Sequence, residues 1–87
     1  MQKSKEFLNF LVTSLVEFPE DVKIDGRTDE MGVLLTLHVA KEDMGKIIGK
    51  EGQTAKSIRT LLRVVGMKEN ARINLKIDEP TGGIKSY

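Results

Sequence analysis

The chain has 87 residues, of which 39% are hydrophobic and 31% charged, and its formal net charge is +1. This is the composition of an ordinary soluble globular protein, and the length allows one domain with a thin core and little room for a catalytic cleft. The sequence contains no cysteine, which excludes disulfides, a thiol nucleophile and thiolate metal sites and is consistent with a cytoplasmic location.

Near the N-terminus, apolar residues recur at spacings of three and four, which predicts an amphipathic helix closed by Pro19. The stripe consists of Phe7, Leu8, Leu11, Leu15 and Phe18. Polar residues interrupt this segment and no small-residue cleavage site follows it, so we interpret it as a helix of the mature protein. No segment approaches the roughly 20 apolar residues that cross a bilayer, and we expect no membrane association.

Two strand signals follow the first helix. Val22 and Ile24 alternate with charged residues and predict a short, weak strand, and the polar segment 26–30 predicts a turn. The segment Val33 to Val39 alternates regularly and predicts a strand with one buried face. Together they predict an antiparallel hairpin that turns near Asp29 and Gly32.

The second half of the chain predicts two helices separated by a glycine loop, and then a strand. Asp43 is a candidate N-cap for a short helix from Met44 to Ile48, which Gly49 would end. A longer helix is expected from Gln53 to Val65, with Gly66 as its C-terminal stop. Its predicted core positions are Ile58, Leu61, Leu62 and Val65.

The last predicted strand alternates from Ala71 to Ile77, and Pro80 begins the tail. We expect one domain over residues 1–79 and a flexible tail over residues 80–87. The order of elements is helix, strand, strand, short helix, helix, strand. It predicts an α+β fold in which helices cover one face of a three-stranded sheet.

The segment 47–52, Ile-Ile-Gly-Lys-Glu-Gly, has the composition of a phosphate-binding loop. Glycine lets a nucleic-acid backbone approach closely, and the N-terminus of the following helix favours an anion. Between Lys41 and Arg63 there are six basic and three acidic residues, a local charge of +3, while the rest of the chain carries −2. This asymmetry favours a polyanion site. The alternatives are a plain corner between two helices and an ordinary solvated surface.

This loop, in this order of elements, resembles the GxxG loop of the KH domain, which clamps about four nucleotides of single-stranded nucleic acid. The α-β-β-α-α-β order resembles the type II arrangement, and the size resembles the small bacterial KH proteins of the KhpA type. The resemblance covers nearly all residues before the tail. It implies an RNA chaperone or post-transcriptional regulator that pairs with itself or with a second KH-containing protein.

The resemblance also implies roles for individual residues. Gly49 and Gly52 would be the clamp glycines, Lys50 a direct phosphate contact, and Glu51 the solvent-facing residue of the loop. Gln53 and Thr54 would offer backbone N–H groups. The groove floor would map to Ile47, Ile48 and Ile58, opposed by the strand from Val33 to Val39, and the nearby cations are Lys46, Lys56 and Arg59. Arg63 is the cation least expected to make contact.

Two positions depart from the family pattern. Glu51 repels phosphate, and Ala55 replaces the bulky aliphatic of many KH sequences.

No other constellation points to chemistry, and we expect no enzyme activity, cofactor or metal. His38 is the sole histidine, Glu42 and Asp43 are explained by helix capping, and segment 45–51 lacks the spacing of a nucleotide-binding P-loop. Aromatic residues are too few for a base-stacking platform. Two functions remain: binding of single-stranded RNA, with single-stranded DNA not distinguished, or a protein-interaction module on a KH scaffold.

Overall fold

The computed structural model describes residues 2–78. Its main elements occur in the predicted order, which is confirmed: α1 (Gln2–Leu15), β1 (Lys23–Asp29), β2 (Gly32–His38), α2 (Met44–Ile48), α3 (Gln53–Lys68) and β3 (Ile73–Asp78). The predicted tail, residues 80–87, lies outside the described residues. No helix within residues 2–78 has the length and apolar character to span a membrane.

The sheet has the strand order β1-β2-β3 and mixed direction. β1 pairs with β2 antiparallel, and β2 pairs with β3 parallel. Alternate residues of β2 are buried and half-buried, because the helices cover one face and leave the other open. The α+β fold with helices on one face is therefore confirmed. The core cluster draws on α1, α2, α3, β2 and β3: Leu8, Val12, Val33, Leu35, Leu37, Val39, Ile47, Ile58, Leu62 and Ile73.

The hairpin is confirmed, but its turn is shorter than predicted. β1 continues through Asp29, so segment 26–29 is strand and the turn is confined to Glu30 and Met31. The carboxylate of Asp29 accepts the N–H of Met31 at 2.7 Å. The polar character of segment 26–29 predicted a turn, but this segment pairs with β2 and is strand. Pairing with a neighbouring strand therefore outweighs the low strand propensity of these exposed, polar residues.

α1 buries a stripe that matches the predicted one only in part: Leu8 is fully buried and Phe7 packs against the core, as predicted. Its buried residues are Ser4, Leu8 and Val12, whereas Leu15 is 44% exposed and ends the helix before Phe18. The spacing of four places Ser4 on the core face, where its hydroxyl donates to Glu69 at 2.9 Å. A polar residue therefore occupies a core position that hydrophobicity alone does not reveal.

α3 continues past the predicted stop at Gly66. Gly66 is buried, and a Cβ there would lie 2.5 Å from Ile73 Cγ1 and 2.7 Å from the carbonyl oxygen of Ala71. The glycine therefore permits close packing of α3 on the start of β3. The helix ends instead at Lys68. Asn70, two residues later, has a φ of +59°, and the N–H of Ala71 donates to Gly66 O at 2.8 Å.

The exposed face of α3 also differs from the prediction. Ala55, Ile58 and Leu62 are buried, whereas the predicted core residue Leu61 is 44% exposed and Val65 is half-buried. The small Ala55 shifts the buried stripe toward positions 55, 58, 62 and 66, since these lie on one side of a helix.

Asp43 does not cap α2 through its side chain. Its fully buried carboxylate accepts the N–H groups of Glu17 at 2.9 Å and Phe18 at 3.0 Å. Asp43 does occupy the predicted N-cap position of α2. Its side chain, however, accepts from donors that follow α1, far away in sequence. Asp43 thus ties the segment after α1 to the start of α2.

Candidate nucleic-acid interface

The loop between α2 and α3 has an unusual backbone. Gly49 has φ 77° and ψ 178°, Glu51 has φ 56° and ψ 28°, and Gly52 has φ 76° and ψ 11°. Three of the four residues 49–52 therefore have positive φ. Residues other than glycine adopt this left-handed region of backbone conformation at a cost in free energy. The loop is closed by hydrogen bonds from Gly49 N to Gly45 O at 2.8 Å and from Gly52 N to Gly49 O at 3.3 Å.

The two glycines are required for different reasons. A Cβ on Gly49 would overlap the side chain of Thr54 and lie 2.8 Å from the Thr54 nitrogen. A Cβ on Gly52 would meet nothing within 4 Å, so the requirement there is the backbone conformation. The loop thus packs tightly on the first turn of α3 at Gly49 and stays open at Gly52.

The start of α3 faces the same loop. Its N-cap is Gly52, which supplies no side-chain acceptor to the first turn. The amide of Gln53 donates to Lys50 O, so this predicted donor is already engaged within the loop. The side chain of Gln53 is exposed and Thr54 is half-buried against Gly49. Anion attraction at this end therefore rests on the remaining amides of the first turn and on the helix dipole.

The predicted cations differ in availability. Lys50, Lys56 and Arg59 are exposed, and within residues 2–78 no ion pair engages them. Lys46 instead lies 3.6 Å from Glu17 and 3.8 Å from Asp43, so acidic neighbours offset its charge. The cations most available to a phosphate are thus the three that follow Gly49 in the sequence, and Lys46, which precedes it, is less available.

The three predicted groove isoleucines are placed differently from one another. Ile47 and Ile58 are 0% and 3% exposed and belong to the core, whereas Ile48 is half-buried at the end of α2. Ala55 is buried beneath the loop. Of the three isoleucines, Ile48 has the most surface for a ligand, and the other two support the loop from below.

The assignment of β2 as the opposing wall of the groove stays a prediction. β2 is the central strand, and the strand with a free edge beside α3 is β3. An open groove of about 750 Å³ lies between the C-terminal half of α3 and the start of β3. Its lining residues are Arg63, Met67, Asn70, Ala71, Arg72, Ile73 and Asn74.

A smaller pocket of about 120 Å³ continues from this groove toward the loop end of α3, and Arg59 and Arg63 both line it. From the sequence, Arg63 was the cation least expected to make contact, and Arg72 and Asn74 were not among the candidate residues. The spacing of Arg59 and Arg63, four residues apart on one helix, could have indicated a shared face. That β3 lies beside these two arginines could not be predicted from the alternation of apolar and polar residues in the sequence.

The histidine and the acidic residues singled out in the sequence have structural surroundings that the structure shows directly. Within residues 2–78, no group of three or more acidic, histidine or cysteine side chains is placed to hold a metal ion. His38 instead bridges two strands on the open face, with ring nitrogens 3.1 Å from carboxylate oxygens of Asp25 and Asp78. Glu42 is exposed and Asp43 is fully engaged by backbone donors, so they do not form an acid-base pair.

The chain that carries this loop and this order of elements matches a known protein family. A family model described as KhpA/KhpB, KH domain, matches residues 5–77. The chain belongs to this family.

Several bacterial relatives of the KhpA/KhpB family are similar over nearly their whole length. RNA-binding protein KhpA of Clostridium acetobutylicum is 44% identical over 73 residues, covering 84% of this chain and 97% of the relative. RNA-binding protein KhpA of Chlamydia pneumoniae is 48% identical over 75 residues, covering 86% and 96%. RNA-binding protein KhpA of Listeria monocytogenes is 44% identical, covering 86% and 99%.

A solved structure shares the fold of this KhpA/KhpB chain. The crystal structure of a GDP.AlF4−-bound variant of Era from Aquifex aeolicus aligns with a TM-score of 0.57 and 21% identity. The alignment covers 85% of this chain and 29% of that one. At this identity the likeness shows the fold alone.

Proposed function

We propose that this protein binds short single-stranded RNA, with the RNA backbone held against residues 49–52. The observation that carries the proposal is the geometry of this loop: positive φ at Gly49, Glu51 and Gly52, no Cβ at two positions, and a helix N-terminus behind it. The exposed Lys50 supplies a charge that no ion pair engages within residues 2–78. The printed names of the relatives, which are RNA-binding proteins, support the same conclusion.

The RNA would run from the loop along α3. Arg59 and Arg63 line the path between the loop and the larger groove. There Asn74 lies on the edge strand β3, and Arg72 lies just before that strand. The bases would rest on aliphatic surface that includes Ile48. Main-chain donors and arginines read phosphate rather than base edges, so we expect low sequence specificity.

Low specificity suits a small RNA chaperone or post-transcriptional regulator acting in the cytoplasm. One module of this size offers few contacts, and we expect a Kd of roughly micromolar order that weakens as salt rises. Such a module gains from acting in pairs, since a second linked site raises avidity without new contacts.

Pairing with a second KH domain, in the same chain type or a different protein, is supported by the outer face of α3. Leu61, Val64 and Met67 are 44%, 57% and 70% exposed and follow one another at spacings of three. We call these residues the α3 stripe. An apolar stripe of this kind on a small domain favours a protein partner.

The RNA proposal is tested with a matched pair of charge reversals. Lys50→Glu changes the loop, and Lys68→Glu makes the same change in net charge on an exposed residue at the far end of α3. In a titration of labelled single-stranded RNA, we expect Lys50→Glu to weaken binding by roughly tenfold or more. We expect Lys68→Glu to weaken it by less than about threefold, since it alters only the long-range field.

Equal weakening by both variants would show binding through net charge and would contradict the loop mechanism. Absence of binding by the wild-type protein would favour the second candidate, a protein-interaction module. The α3 stripe and the acidic Glu51 are the observations that favour this alternative.

A further inference from the structure

The open face of the sheet, which the helices do not cover, carries a shallow pocket of about 460 Å³. The middle of this face is formed by Leu34, Thr36 and His38 of β2, which are half-buried. Each of these residues pairs with one residue of β1 and one residue of β3, so the pocket draws on all three strands. Its lining residues are Asp25, Gly26, Arg27, Leu34, Thr36, His38 and Lys76.

Two cations border this pocket on opposite sides. Arg27 of β1 pairs with Leu34, and Lys76 of β3 pairs with Thr36, two residues further along β2. Neighbouring strands lie about 4.8 Å apart and successive same-face residues about 6.6 Å apart, so the Cα atoms of Arg27 and Lys76 are about 12 Å apart. Both side chains are long enough to bring their charged ends together above Thr36. One anion placed there would contact both.

Both cations are available to a ligand. Arg27 and Lys76 are exposed, and no ion pair within residues 2–78 engages either of them. Two cations that converge on one point attract an anion more strongly than either does alone. The guanidinium group of Arg27 can also donate two parallel hydrogen bonds to a phosphate, which a lysine cannot do.

The carboxylates of this face are engaged by groups of the protein. Asp25 and Asp78 each place an oxygen 3.1 Å from a ring nitrogen of His38, and Asp29 accepts the N–H of Met31 at 2.7 Å. Of these three carboxylates, Asp25 alone lines the pocket, where it is outnumbered by the two cations. The pocket therefore carries a net positive charge even when His38 is neutral.

The surface between the cations combines an apolar side chain with a hydroxyl group. Leu34 and Thr36 lie side by side along the open face of β2. The leucine offers an aliphatic surface to a nucleobase, and the threonine hydroxyl can donate a hydrogen bond to a phosphate oxygen. A nucleotide joins a base to a phosphate, so this arrangement fits a nucleotide better than inorganic phosphate.

We propose that this pocket, which we call the open-face site, binds a second single-stranded segment of RNA. Arg27 and Lys76 hold one phosphate of that segment from both sides, Thr36 donates to it, and the adjoining base lies on Leu34. RNA as the ligand rests on the proposed function, whereas the geometry itself fits any nucleotide phosphate.

The open-face site is distinct from the groove along α3. The lining residues of the two sites do not overlap, and the edge strand β3 separates them. One domain can therefore hold two RNA segments at once, one on each side of β3. Holding two segments on one small domain raises the concentration of each segment near the other, which favours their pairing.

The proposal is tested by NMR titration of isotopically labelled protein with a single-stranded RNA of about four nucleotides, the length that a KH loop holds. This RNA is short enough to occupy each site separately. We expect two groups of amides to shift with separate affinities: residues 49–52 of the loop, and Arg27, Leu34, Thr36 and Lys76 of the open-face site.

Lys76→Gln and Lys23→Gln form a matched pair, because each removes one lysine charge from the same face of the sheet. Lys23 is exposed and pairs with His38, but it does not line the pocket. We expect Lys76→Gln to weaken RNA binding at the open-face site by roughly fivefold, and Lys23→Gln by less than about twofold. Neither variant should change the affinity measured from the amides of the loop.

The outcomes separate this proposal from the loop mechanism. Shifts confined to the loop, or equal weakening by the two variants, would overturn the open-face site and leave the loop mechanism intact. Shifts at the open-face site with a silent loop would support the site and contradict the loop mechanism. Silence at both would overturn both.

Adenosine monophosphate is titrated in parallel to distinguish RNA from a free nucleotide. We expect it to bind the open-face site roughly tenfold more weakly than the RNA, because a longer segment adds contacts beyond one nucleotide. Equal affinity of the two ligands would show a site for mononucleotides and would overturn the assignment to RNA.

Discussion

At the scale of single residues, steric contacts require glycine at position 49 but not at position 45. We expect Gly49→Ala to destabilise the fold by roughly 2 kcal/mol, through the overlap with Thr54 and the positive φ, and to weaken RNA binding. A Cβ at Gly45 meets nothing within 4 Å, and its φ carries no strain, so Gly45→Ala is the matched control. Urea denaturation and RNA titration of both variants check this. Loss of affinity in both would contradict a specific role for the loop.

Glu51 is the one acidic residue within the loop, and it adopts a left-handed backbone with its side chain exposed. Glu51→Gln removes the charge at constant size, so we expect tighter RNA binding by roughly threefold at low salt, with unchanged stability. Glu30→Gln, at the exposed hairpin turn, removes the same charge elsewhere and should change affinity less. Fluorescence anisotropy at two salt concentrations measures both. Unchanged affinity of Glu51→Gln would mean that the carboxylate lies away from the phosphate.

At the scale of elements, Asp43 connects the segment after α1 with the start of α2, which is distant in sequence. Asp43→Ala would leave the amides of Glu17 and Phe18 without their acceptor, and we expect a loss of about 2 kcal/mol in the free energy of unfolding. Glu42→Ala, at the neighbouring exposed position, should cost less than about 0.5 kcal/mol. Urea denaturation compares the two. Equal effects would show that the buried carboxylate contributes no more than local helix propensity.

At the scale of the whole molecule, periodicity predicted the type and order of every main element. β2 alternates strictly because one face is buried, so local pattern and tertiary packing agree there. In α3 the helical spacing predicted the helix, although two of its four predicted core residues, Leu61 and Val65, are not buried. The glycine loop was also predictable, since two glycines three apart follow a short helix. The family resemblance then supplied a role for the loop that periodicity alone does not give.

Other features depended on contacts between distant segments and could not be predicted. Gly66 had the appearance of a helix stop, but its role is close packing on Ile73. Asp43 had the appearance of a cap, but its donors follow α1. Alternation identified β2 as a strand but did not show that it is the central strand of the sheet.

The two halves of the sheet are assembled by different routes. β1 and β2 are joined by a two-residue turn, whereas β3 reaches β2 after α2, the glycine loop and α3. Pairing between sequence neighbours costs less chain entropy than closing a long crossover, and it is faster. The hairpin is therefore the part that can form early. The glycine loop lies inside the crossover, so the docking of β3 fixes where the loop stands relative to the hairpin.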